Sequence, residues 1–236
     1  MGKEFLTSQS ESMSDRSPTL THSAPPRTIG LTGGVGMGKT TISNYLATVR
    51  QLPVLDADIY AREAVEPGSA VLHEIIERYG PSVLMPNGRL DRARLGEIIF
   101  NSPPERLWIE QRIHPYVRDR ITAELQELAQ RHVAIAIVVV PLLFEARMTD
   151  LVNEIWVVNC SREQQIERLR QRDVEGSGNG RLSLEQIHAR IDSQMPISQK
   201  ISYANVIIQN ASTLEDLFKQ IDWALQSQAL PPASQG

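Results

Sequence analysis

The chain has 236 residues, 41% of them apolar and 22% charged, ordinary values for a globular protein of one large domain or a core with insertions. Its formal charge of −4 argues against a dedicated nucleic-acid binder, and a single cysteine, Cys160, excludes an internal disulfide framework and a cysteine-only zinc site. Cys160 closes an apolar run, so packing is its expected role. No apolar run reaches the roughly 18 residues of a membrane span, so no membrane partner and a cytoplasmic location are expected.

Residues 1–26 are rich in Ser, Thr and Pro, show no period and lack the apolar centre of a signal peptide; they read as a flexible tail. An apolar segment at about 27–32 predicts the first strand. Gly33-Gly34-Val35-Gly36-Met37-Gly38-Lys39-Thr40 follows, and Thr41 opens a helix to about residue 49. The pattern G-x-x-x-x-G-K-[ST] between a strand and a helix is a phosphate-binding loop. Small residues let the backbone fold tightly round a polyphosphate, and exposed N–H groups at a helix start stabilise the anion. In this loop Lys39 is expected to reach the β- and γ-phosphates and the Thr40 hydroxyl to hold Mg²⁺.

A short second strand at 53–55 runs into Asp56-Ala57-Asp58 and a helix from Ile59 to Glu66. If the extended backbone continues through 58, strand alternation places both carboxylates on one side. There one accepts a proton from an attacking hydroxyl and the other assists Mg²⁺ through water; the competing reading is a turn with an Asp cap. Arg62 lies one turn after Asp58, either facing the same acceptor or in a surface ion pair.

Residues 67–130 read as mostly helical and inserted between strands two and three. Predicted helices cover about 69–79, 92–100 and, from Ser102-Pro103, a long amphipathic run to about Gln130, with a kink or break expected at His114-Pro115. His114 by itself is more simply structural than ligand-binding. Val133 to Val140 is a continuous β-branched and alanine run, suited to a parallel strand covered on both faces. Pro141-Leu142-Leu143-Phe144-Glu145 follows at its C-terminal end, where open α/β sheets bind ligands. Strand four is expected at 154–159, strand five at 204–208 and a last helix at about 213–228, followed by a short tail from 231. Strands alternating with helices predict a doubly wound parallel sheet.

Between strands four and five, Ser161 to Asp173 reads as a helix with Arg168 and Arg172 four residues apart on one face. Either an anion lies between them or Glu167 and Asp173 neutralise them. An arginine-bearing lid over the phosphates, hinged by a flexible loop from Glu175 to Gly180, is the functional reading. Rival motifs are missing: no G-x-G-x-x-G occurs in the loop, no Asn-Lys pair supports a GTPase, and strand three ends in Pro141 where a Walker B carboxylate is usual. That shifts acid–base work to Asp56 and Asp58.

Taken together, the phosphate loop with Asp56-Ala57-Asp58-x-x-Ala61-Arg62, Val65-Glu66-Pro67-Gly68, Asn87-Gly88-x-Leu90, Ile99-Phe100, His114-Pro115, Val140-Pro141-Leu142-Leu143-Phe144-Glu145 and Arg168 with Gln171-Arg172-Asp173 resembles the dephospho-CoA kinase family. The resemblance spans about residues 27–225. It implies transfer of the ATP γ-phosphate to the ribose 3′-hydroxyl of dephospho-CoA, the last step of coenzyme A synthesis. It implies a P-loop NTPase fold, a three-layer α/β/α core with a five-stranded parallel sheet, a helical acceptor-binding insert at 67–130 and a lid at about 161–195. The implied core covers 27–66, 131–160 and 201–228. The resemblance makes Asp58 the general base, Gly33, Gly34, Val35, Gly36, Met37, Gly38, Lys39, Thr40 and Thr41 the ATP site, and Arg168 and Arg172 lid residues acting with Lys39. Arg62, His114, Pro141, Leu142 and Leu143 then shape the acceptor site. ATP and Mg²⁺ are the implied cofactors, small molecules the only partners, with the protein a monomer or weak homo-oligomer. Met37 stands where the family usually has Ser, Thr40 where Ser is commonest, and Gln199, Asn205 and Gln209 at commonly acidic positions.

Overall fold

The computed structural model describes residues 26–100, 102–176 and 182–227, excepting the side chains of 173–176. The expected flexible tail up to residue 25, the hinge loop at 177–180 and the tail from 231 lie outside these residues. Five strands form one all-parallel sheet: β1 Arg27–Gly33, β2 Val54–Asp56, β3 Ile135–Val139, β4 Glu154–Asn159 and β5 Val206–Gln209. Their order across the sheet is β2-β3-β1-β4-β5, so β1 runs down the middle and the chain's direction of winding reverses beside it. Ligands bind at the C-terminal strand ends next to such a reversal.

β3 shows why its sequence does not alternate. Ile137 and Val139 pack into one core layer with Ile29, Leu31 and Trp156, against helices α1 Lys39–Thr48 and α9 Leu214–Gln226. Ala136, Val138 and Val140 point the other way and pack with Leu55, Tyr60, Val117 and Ile121. Leu55 belongs to β2, Tyr60 to α2 Ala57–Glu63, and Val117 and Ile121 to the long α5 Pro103–Gln130. Each such fully buried aliphatic side chain contributes about 1.5–3 kcal/mol, so both faces select apolar residues.

The insert between β2 and β3 has its own core. Leu72 and Ile75 of α3 Ala70–Tyr79, Leu95 of α4 Arg92–Phe100 and Ile109 of α5 close round Val65, Val83 and Leu90. Ile113 touches both this cluster and the sheet cluster, tying insert to core. Helix α5 is not broken at His114-Pro115; it runs on through Pro115. Burial of Ile109, Val117 and Ile121 on either side holds both halves in one helix, despite the backbone bond that proline removes. Helix α6 Arg162–Gly176 follows β4, and α7 Leu184–Asp192 and α8 Ile197–Ser202 lead into β5. Among the described residues no helix is long and apolar enough to cross a membrane.

Candidate active site

β1 delivers its loop to the C-terminal edge at the centre of the sheet. Two glycines there are matters of space. A Cβ on Gly33 would stand 2.6 Å from the Val158 carbonyl oxygen. Gly38 has φ of +93°, and its Cβ would stand 2.1 Å from Asn210 Nδ2. That amide donates to the Met37 carbonyl at 2.9 Å, so the end of β5 clamps the loop from behind. Val35 is held on both sides: its N–H donates to Gln194 Oε1 at 2.9 Å, and its carbonyl accepts from Gln165 Nε2 at 2.6 Å. Met37 is buried in the core, and its Sδ accepts from the Gly34 N–H at 3.1 Å. The Met37 side chain therefore props the loop from within. The open face is the start of α1, whose first amides have no intrahelical acceptor. Gly38 caps it without a side chain, and no acidic residue occupies its first turn. The positive end of the helix is left for an anion.

The Lys39 ammonium donates to the Gly33 and Gly34 carbonyls at 2.8 and 2.9 Å. Burial pulls its pKa down to about 8, with the Lys200 and Arg172 charges adding to the fall and Asp58 and Asp56 opposing it. Asp58 is pushed up from the ordinary carboxylate value by burial first and by the Asp56 charge second, against the pull of Lys39, Arg62 and Arg172. Lys39, Asp56, Asp58, Arg62 and Arg172 thus share one electrostatic neighbourhood.

The two aspartates are not paired by strand alternation. β2 ends at Asp56, whose Oδ1 accepts from the Asp58 N–H at 2.9 Å and so caps α2. The helix turn starts one residue too early for the extended spacing, and the cap brings the carboxylates together instead. Asp56 takes the capping duty, and among the described residues the Asp58 carboxylate forms no hydrogen bond or ion pair.

Arg168 lies behind the loop. One of its nitrogens, Nη2, donates to the Asn210 carbonyl at 2.8 Å. Its Nη1 is buried without a hydrogen-bond partner among the described residues, 3.9 Å from where a Gly38 Cβ would be. A buried charged donor left unsatisfied beside an open helix N-terminus calls for an anion. Glu167 does not neutralise it; that carboxylate accepts from Gln171 at 2.9 Å, and the Asp173 side chain lies outside the described residues. Arg172, one turn on, is exposed and reaches both Lys39 and Asp58 electrostatically.

The expected acceptor residues lie in different parts of the fold. The Pro141 carbonyl accepts from Thr32 Oγ1 and from Lys200 Nζ, both at 3.2 Å. Leu142 is half-buried, but Leu143 is fully buried in the sheet core, so its side chain supports the segment from below and does not face the cleft. His114 sits mid-way along α5, its pKa lowered by burial, with Glu110 as the opposing charge; it does not join the Lys39–Asp58 group. Arg62 is exposed at the end of α2, close enough to act on Asp58.

For a divalent cation the donor set is sparse. Among the described residues no group of three or more His, Cys, Asp or Glu is arranged to hold a metal. The exposed Thr40 hydroxyl and the Asp56 carboxylate remain. That fits Mg²⁺, which keeps much of its shell as water and phosphate oxygen and needs few protein ligands.

Four residues on which the site depends carry little signal in the sequence. Asn210 directly follows a parallel strand at its ligand-binding end, a position that was open to notice. Gln165 and Gln194 act through amides on the Val35 backbone, which no spacing reveals. Lys200, in a polar run, reads as surface yet is fully buried.

The family model described as dephospho-CoA kinase matches residues 27–216. A dephospho-CoA kinase of Trichormus variabilis is 51% identical over 199 residues, 84% of this chain and 96% of the relative. One of a Synechocystis species is 47% identical over 199 residues, 84% of this chain and 94% of its own length. Among solved structures, dephospho-CoA kinase from Campylobacter jejuni superposes with a TM-score of 0.63 at 26% identity, over 86% of this chain and 98% of that one. The crystal structure of a Thermus thermophilus protein gives 0.70 at 30% identity, over 85% and 96%.

Proposed function

The chain belongs to the dephospho-CoA kinase family, and on that premise we propose how its residues divide the work. It is an ATP-dependent kinase of coenzyme A biosynthesis. The ATP γ-phosphoryl group is transferred to the ribose 3′-hydroxyl of dephospho-CoA. The loop from Gly33 to Thr41 holds the ATP phosphates on the backbone amides at the start of α1. Lys39 releases its loop carbonyls to meet the β- and γ-phosphates. Arg168, its orphaned nitrogen turned toward the loop, and Arg172, across from Asp58, neutralise charge that builds on the equatorial oxygens. Asp58 takes the proton of the attacking hydroxyl, and Arg62 orients the acceptor beside it. The Pro141–Leu142 backbone lines the acceptor side, with Leu143 as its support, and His114 stands behind on α5. Thr40, with Asp56 through water, would hold Mg²⁺, which would supply neutralisation of the phosphate charge.

The observation that carries these roles is the uncommitted Asp58 carboxylate, set among Lys39, Arg62 and Arg172 beside an open helix N-terminus. Asp58→Asn is expected to lower turnover of dephospho-CoA by about 10²–10⁴-fold while ATP still binds. Product formation from dephospho-CoA and ATP–Mg²⁺, read alongside ATP titration, is the measurement. Wild-type turnover in the variant would remove Asp58 from the role of base. The same reading divides the chain into a core at 27–66, 131–160 and 201–228, a helical acceptor part at 67–130 and a lid at about 161–195. It makes the protein a cytoplasmic monomer or weak homo-oligomer.

A further inference from the structure

The phosphate loop is rich in glycine and soft by itself, yet its first half is fixed from outside by side chains far away in the chain. The fixed span runs from Thr32 to Val35. It includes the Gly33 and Gly34 carbonyls on which the Lys39 ammonium rests, at 2.8 and 2.9 Å. Thr32, fully buried near the end of β1, donates through Oγ1 to the Pro141 carbonyl at 3.2 Å. That carbonyl also accepts from Lys200 Nζ at 3.2 Å. Lys200, fully buried on α8, pairs with Glu145 at 2.9 Å. Glu145 Oε1 accepts in turn from the Met195 N–H at 3.0 Å. The residue before Met195 is Gln194, whose Oε1 accepts from the Val35 N–H at 2.9 Å. The circuit leaves the loop at Thr32 and returns to it at Val35.

A buried ammonium and carboxylate hold a fold together no better than apolar residues of the same size. What they can do, and apolar packing cannot, is fix the direction of a backbone amide. Glu145 does this at Met195, in the turn between α7 and α8, and so aims the neighbouring Gln194 side chain at the loop. Pro141, at the other end of the circuit, opens the segment assigned above to the acceptor side. We propose that Gln194, aimed by Glu145 and Lys200, is a positioning residue for phosphoryl transfer. The circuit keeps the span that carries Lys39 in register with the acceptor segment, and an in-line transfer is sensitive to misplacement of about 1 Å. The proposal rests on the reading that the loop presents the ATP γ-phosphate to an acceptor beside Pro141, and it adds what holds the two sides in register.

The test uses the whole enzyme with two variants at opposite ends of the circuit. Gln194→Met keeps the length of the side chain and removes the acceptor; Thr32→Val keeps nearly the same shape and removes the donor. Gln194→Met is expected to lower kcat about 10–10²-fold, with Kd for ATP–Mg²⁺ by titration changed less than about threefold, because the amides at the start of α1 still hold the phosphates. Thr32→Val should lower kcat about tenfold. The double variant should lose less than the product of the two single losses, since both release one span. All rates are read well below each unfolding midpoint, where a merely structural role leaves kcat unmoved. Unchanged kcat in both variants, losses that multiply in the double variant, or a kcat loss matched by an equal loss of ATP affinity overturns the proposal. Should Gln194→Met fail to fold, an unchanged kcat in Thr32→Val overturns it alone. A wild-type enzyme that does not phosphorylate dephospho-CoA sinks the reaction itself, whereas an active wild type with unmoved variants sinks only the circuit.

Discussion

At Asp58 two opposing influences act on one carboxylate. Burial and the Asp56 charge disfavour its ionised form, while Lys39, Arg62 and Arg172 favour it, and the net shift is upward. A base must be ionised to work, so activity is expected to fall as pH drops through a value above the ordinary aspartate pKa of about 3.9. Asp56→Asn removes the second cause of the shift and keeps a good helix cap. The acid limb of the kcat/KM profile should therefore move to lower pH in that variant; an unmoved limb would detach the limb from this pair. Lys39 shifts the other way, down to about 8 before ATP arrives. Phosphates favour the ammonium, so ATP binding above pH of about 8 must take up a proton, whereas well below that value the group is already charged. Calorimetry in buffers of different ionisation enthalpy should show uptake of up to about one proton at high pH and almost none near pH 6.5.

At the scale of elements, the loop is shaped by what stands behind it. The Asn210 amide touches the Met37 carbonyl, and its own carbonyl accepts from Arg168. The end of β5 therefore positions both the phosphate loop and Arg168. Gly38→Ala would drive a methyl group onto that amide at a positive φ, so the loop must open. The expected outcome is loss of ATP binding by titration with a far-UV circular dichroism spectrum like that of the wild type. Asn210→Ala should weaken ATP binding and cost about 1–3 kcal/mol in denaturant unfolding, since it strips the Met37 carbonyl of its buried donor. The helix at 57–63 follows similar logic: its cap, and not the strand before it, sets the distance between the two aspartates.

Across the whole molecule, Lys200 ties distant pieces together. Fully buried on α8, it pairs with Glu145 at 2.9 Å and donates to the Pro141 carbonyl, while Glu145 also accepts from the Met195 N–H at 3.0 Å. Removing Glu145 leaves the Lys200 charge in a dry place, whereas Glu145 itself reaches solvent. Glu145→Gln should cost about 3–5 kcal/mol of unfolding free energy, and Lys200→Met with Glu145→Gln less than the sum of the two single changes. Additive losses in that cycle would mean the two groups do not act as a pair. Much was legible beforehand because it depends on local pattern. Five strands, the long helix from Pro103 to Gln130 and the loop at 33–40 follow from periodicity, from the apolar run at 133–140 and from a motif whose backbone geometry demands those residues. The family, too, was readable in motifs that keep identity, order and spacing. Contacts between segments far apart in the chain were not, because periodicity carries no information on which side chain meets which backbone group. Gln194 and Asn210 on the loop, Leu143 turned into the core, and Lys200 buried beside Glu145 each depend on how strands and helices stack. Motif and periodicity settled which chemistry this chain performs and on what kind of sheet. Only the packing of β5, α6 and α8 around β1 decided how the loop at 33–40 is held in the shape that chemistry needs.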